Sequence, residues 1–124
     1  LPFTRKIRSL NARILFAKEM LKDIDTIEGM VKELGFDVLF TSDVDSTGLA
    51  QKFNEGPNLI VCHYSQKVFF TETKGTHLPI ILIADANERM ILSPPSSHKI
   101  AYLHRPFSKD ILNALIDLLL TTED

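Results

Sequence analysis

Residues of several chemistries stand at or just past the ends of short apolar runs: the Lys18-Glu19 pair, His63, Asp85 and Arg105. If these residues met, imidazole and carboxylate could ligate a transition metal, and His63 could serve as a nucleophile. Both ideas meet an obstacle nearby. Lys18 and Arg105 would converge on the same pocket, where a cation opposes metal binding. No neighbouring base or orienting group is identifiable for His63. An ion pair of Arg105 with Glu19 or Asp85 satisfies the charges most simply, so no metal and no cofactor are expected. Cys62 lies inside an apolar run and reads as an inert core thiol, because reactivity needs an exposed electropositive setting.

These side chains can meet only if secondary structure carries them to one edge. Arg13-Ile14-Leu15-Phe16-Ala17 reads as a buried strand. Met20, Leu21, Ile24, Ile27, Val31 and Leu34 recur at helical spacing, and Gly35 follows where a left-handed cap is wanted. Strands are predicted over residues 36–40, 59–62, 80–84 and 100–103. A short helix capped by Asp45 or Ser46 ends at Gly56-Pro57, one or two turns surround Val68-Phe69-Phe70, and residues 87–92 could form another short helix. Pro94-Pro95 must break that one. Ser108 can cap the last helix, which runs through Ile111, Leu112, Leu115, Leu118 and Leu119, with Asp110 in its first turn.

Strand and helix alternate five times, and the strand runs are continuously apolar. Such strands are covered on both faces, which implies a mainly parallel sheet inside an α/β three-layer sandwich of the flavodoxin-like kind. Ligands of such folds bind beyond the carboxyl ends of the strands. Function should therefore be sought at Lys18-Glu19, His63-Tyr64, Ala84-Asp85 and His104-Arg105.

The composition narrows the classes. The chain has 124 residues, 44% of them hydrophobic and 24% charged, which suits one globular domain. A single cysteine excludes an internal disulfide framework and any CxxC site. The net charge of −2 argues against a dedicated nucleic-acid binder. Arg5, Lys6, Arg8 and Arg13 nonetheless stand among the first thirteen residues with no acid beside them, so residues 1–11 read as an arm or linker ahead of a domain over residues 12–124. No apolar run is long enough to span a membrane, and no signal-peptide pattern is present. A cytoplasmic setting is expected. The chain opens on Leu1, as a domain cut from a longer protein would. GxGxxG, Walker A and GxSxG motifs are absent. Asp45-Ser46-Thr47-Gly48 is better read as helix capping than as a phosphate turn. His77, His98 and His104 have no common spacing suited to a metal.

Four stretches carry a more specific signal: residues 13–19, the PNLIVCH run at residues 57–63, the PIILIAD run at 79–85, and YLHRPF at 102–107. Together they resemble receiver domains of two-component response regulators, and the resemblance spans residues 12–120. It implies the CheY-like fold, a five-stranded parallel sheet in order 2-1-3-4-5 with helices on both faces. Receivers phosphorylate an aspartate at the end of the third strand. They hold a divalent cation on an acidic pair after the first, and read the phosphoryl group with a hydroxyl and a lysine after the fourth and fifth.

Carried across, the resemblance puts Lys18 and Glu19 at the acidic pair, His63 at the phosphoacceptor, Ala84 at the hydroxyl and Arg105 at the lysine. Ala84 cannot bond a phosphoryl group, and Arg105 replaces a compact ammonium with a planar fork. Tyr102, Pro106 and Phe107 stand as the family has them, and the resemblance implies a cis Arg105-Pro106 bond. Fifteen residues between His63 and Pro79, and the prolines at 94–95, imply shortened third and fourth helices.

The expected function is thus that of a degenerate receiver, a pseudo-receiver that is not an enzyme. It would act in bacterial-type signal transduction as a phosphorylation-independent interaction module, with a protein partner or fused output domain. A homodimer through the last strand and helix is a further expectation, with Tyr102, Leu103, Leu118 and Leu119 as contacts; Phe69-Phe70 is a second candidate surface. The alternatives are a metal- or phosphoryl-dependent switch using Glu19, His63 and Arg105, and a small-ligand sensor in the same crevice.

Overall fold

The computed structural model describes residues 12–17, 21–41, 54–71, 78–91 and 99–120. Five strands make one sheet: β1 (Arg13–Ala17), β2 (Asp37–Thr41), β3 (Leu59–His63), β4 (Ile80–Ala84) and β5 (Ile100–His104). Every pairing is parallel, and the order is β2-β1-β3-β4-β5. Three helices are described: α1 (Ile24–Glu33), α2 (Lys67–Thr71) and α3 (Lys109–Leu120), with a 3-10 turn over Tyr64–Gln66 leading into α2. Residues 72–77, which follow α2, lie outside the described residues.

The strands alternate between two apolar layers. Ile14, Phe16, Val61, Ile81 and Ile83 face Ile27 and Val31 of α1 and Leu112 and Ile116 of α3. Leu15, Ile60, Cys62, Ile80 and Leu82 form the opposite layer with Phe70 of α2. Each fully buried side chain of this size contributes roughly 1.5–3 kcal/mol relative to exposure. Two coverings account for the unbroken apolar runs.

Local signals set the helix ends. Gly35 takes φ +93° just past α1, a conformation that is costly for any residue with a Cβ. The backbone N–H of Ile111 donates to Ser108 Oγ at 3.2 Å, so Ser108 caps α3. Lys109 of α3 pairs with Glu33 of α1 at 2.8 Å across the outer surface.

Three expectations require correction. No helix forms between Asn87 and Ile91, the described part of the one predicted over residues 87–92. Instead the Ile91 N–H donates to Tyr64 Oη, so a distant side chain has replaced the helical carbonyl acceptor. Leu103 and Leu119 are not contact residues of an outer surface; both are buried beside α1 and α3. Their neighbour Leu118 is exposed, as is Ile111. Most of the helix expected from Asp45 or Ser46 to Gly56-Pro57, the arm at 1–11 and the prolines at 94–95 lie outside the described residues.

Candidate functional site

The parallel order brings the carboxyl ends of β3, β4 and β5 side by side, with β1 next to β3. His63 closes β3, Ala84 closes β4 and His104 closes β5, with Arg105 one residue beyond. Ala84 is fully buried, and its carbonyl accepts the Arg105 N–H at 2.8 Å. That bond turns the Arg105 side chain back over the sheet edge. Lys18 and Glu19 lie outside the described residues.

Arg105 occupies the centre of this crown. Its Nε donates to both carboxylate oxygens of Asp23 at 3.0 Å, and Nη2 donates to Asp23 Oδ1 at 2.8 Å. Nη1 reaches Asp85 Oδ1, also at 2.8 Å. The guanidinium is only 15% exposed while Asp23 and Asp85 are 37% and 39% exposed, so the cation is enclosed and its partners form the rim. Hydrogen bonding to Arg105 holds the Asp23 carboxyl below its ordinary range, against a smaller opposing effect of burial. The same bonds raise Arg105, which stays charged at any working pH. The pairing with Asp85 agrees with the sequence. Asp23 was not legible there, because the helical spacing runs on from Met20 and makes it one more polar helix residue, whereas the helix begins only at Ile24. Here its carboxylate makes no capping bond and turns to Arg105 instead.

His63 belongs to a second cluster. Its Nδ1 accepts the Ser65 N–H at 3.1 Å and lies 2.9 Å from Ser65 Oγ. The neutral ring therefore carries its proton on Nε2, which donates to Glu88 Oε1 at 3.2 Å. With one nitrogen accepting and the other donating, neither offers a free lone pair for attack. Glu88 Oε1 also accepts the Asp85 N–H at 2.8 Å, and this bond is the main cause of its lowered carboxyl pKa. On the other side, His104 Nε2 donates to the Glu88 carbonyl at 2.7 Å. Glu88 thus bridges the ends of β3 and β5. Its only sequence signal is a position three residues past Asp85, within reach of that backbone N–H.

No group of three or more His, Cys, Asp or Glu side chains suited to a metal occurs among the described residues. Burial raises the Cys62 thiol beyond any physiological titration. Tyr102 is half-buried beside the Phe70 layer, Phe107 packs against the α1 and α3 layer, and Pro106 is exposed. The Arg105-Pro106 bond is cis, as the resemblance implies.

This architecture has close counterparts among solved structures. The N-terminal domain of a response regulator/sensory box/GGDEF 3-domain protein from Carboxydothermus hydrogenoformans matches with a TM-score of 0.65 at 15% identity, covering 87% of this chain and 93% of that one. NtrX from Brucella abortus, in complex with ADP, matches at 0.68 and 22%, covering 88% of this chain but 26% of that longer one. A CheY-like receiver domain protein from Methanospirillum hungatei matches at 0.63 and 7%, covering 89% and 94%. The fold is that of a response-regulator receiver domain. No protein-family model matches the chain, and neither does any curated protein. No helix among the described residues is long and apolar enough to cross a membrane.

Proposed function

We propose that this chain is a receiver-like domain that signals by docking, without phosphorylation and without turnover. The observation that carries the reading is the Arg105 guanidinium, bonded at once to Asp23 and Asp85. A fixed cation there neutralises the Asp23 and Asp85 carboxylates, and a cation repels a metal ion at this range. His63 stands at the end of β3 with both ring nitrogens engaged, which supports the same reading. Output passes to a partner protein or to a fused domain in a bacterial-type signalling protein. One of the similar structures is named as the N-terminal domain of a 3-domain protein, and the match covers only 26% of the NtrX chain, which supports the fused arrangement. Ile111 and Leu118, exposed on α3, are the proposed contact for that partner or for a second copy.

The test is an amide NMR titration with magnesium and beryllofluoride, the phosphoryl mimic. Unchanged resonances at Asp23, His63, Asp85 and Arg105 are expected. Saturable shifts at these residues that spread to Tyr102 would replace this reading with a metal- and phosphoryl-dependent switch.

A further inference from the structure

The segment after β4 carries a fastening that the Arg105 cluster does not explain. Ile91 leaves its side chain in solvent at 73% exposure, so apolar burial does not hold the chain at this point. Its backbone is held on both sides by side chains instead. The Ile91 N–H donates to Tyr64 Oη at 2.9 Å, and the Ile91 carbonyl accepts from Lys67 Nζ at 3.1 Å. The same ammonium lies 5.8 Å from the Tyr64 ring centroid and 5.3 Å from that of Tyr102, within the range of cation–π attraction. Lys67 begins α2 and Tyr102 lies in β5, paired in register with Leu82 of β4. One ammonium therefore ties together α2, the segment after β4 and the aromatic ring of β5.

We infer that Lys67 is the latch of a strap, residues 85–91, and that it couples the strap's position to the Tyr102 ring. The near end of the strap is already fixed by Glu88, between His63 and His104. Lys67 and Tyr64 fix the far end. Removing the ammonium frees that end and takes the cation from beside the Tyr102 ring, whereas losing only the Tyr64 hydroxyl loosens Ile91 and leaves the cation between its rings. The inference stands apart from the phosphorylation-independent reading, and the titration above can fail without it.

Amide hydrogen exchange and ring resonances of Lys67→Met, Lys67→Arg and Tyr64→Phe test it. Lys67→Met should speed exchange at Ile91 about threefold to tenfold and shift the Tyr102 ring signals, with β1 and β3 amides unchanged. Lys67→Arg should keep the wild-type pattern, and Tyr64→Phe should speed Ile91 alone. Unchanged exchange at Ile91 in Lys67→Met overturns the latch. So does an equal rise at every amide, which would make Lys67 a general stabiliser.

Discussion

Inside the sheet, Leu15, Ile60 and Leu82 are wholly buried in an apolar layer, held by contacts that have no direction. At the carboxyl edge, a few ångströms of chain further on, Arg105, Asp23, Glu88 and His63 are held by bonds that depend on angle and charge. The difference matters for what each region can lose. An apolar layer tolerates a change of residue type if volume is kept. The part built around one guanidinium, Arg105 with Asp23 and Asp85, fails when that single group goes, because its partners were placed to face it. A receiver fold can therefore persist while the chemistry of its crown is exchanged.

The largest expected effect sets the two regions against each other on one helix. Ile116→Ala, in the buried stripe of α3, should cost about 2–5 kcal/mol in urea unfolding. Leu118→Ala, two residues on and 69% exposed, should stay within about 0.5 kcal/mol. Equal losses would mean that Leu118 is covered, by a second copy or by other parts of the chain.

Arg105→Gln should cost less than the core substitution, about 1–2 kcal/mol, since its carboxylate partners are more than a third exposed and water offsets part of the loss. A loss as large as that of Ile116→Ala would show the crown to be structural in its own right.

Acid should separate the regions without mutation. The Asp23 carboxyl is held below its ordinary 3.8, so its contribution is fully present above that value and disappears as pH falls through the lower native one. Thermal melts should be flat on the neutral side of the ordinary carboxylate range and decline below it. Part of the decline should vanish in Arg105→Gln; an identical acid profile in that variant would break the assignment.

The smallest effect belongs to the outer surface. Glu33→Gln removes the 2.8 Å pair with Lys109 between α1 and α3 and should leave the melting temperature unmoved, because both groups are solvated.

Much of the core was legible residue by residue. The apolar runs marked all five strands, Gly35 marked the end of α1 and Ser108 the start of α3, each through a local steric or hydrogen-bond requirement. Residues 87–91 misled, because their apolar and polar order allows a helix that Tyr64 Oη outcompetes from elsewhere in the chain and the Glu88 carboxylate from within, by accepting the Asp85 N–H. Leu103 and Leu119 misled differently. In a helix or strand this apolar, residue type does not say which side faces the sheet, and packing alone assigned them to the core.

Apolar periodicity depends on near neighbours, so the sequence alone carried the alternation of strand and helix and a parallel sheet with His63, Ala84, Asp85 and Arg105 at its strand ends. The strand order came with the family resemblance. Which charges pair was settled by the folded arrangement. Asp23 and Arg105 are 82 positions apart, and Tyr64 and Ile91 are 27. No local rule links such residues, and the bonds exist only after the strands have set their ends side by side.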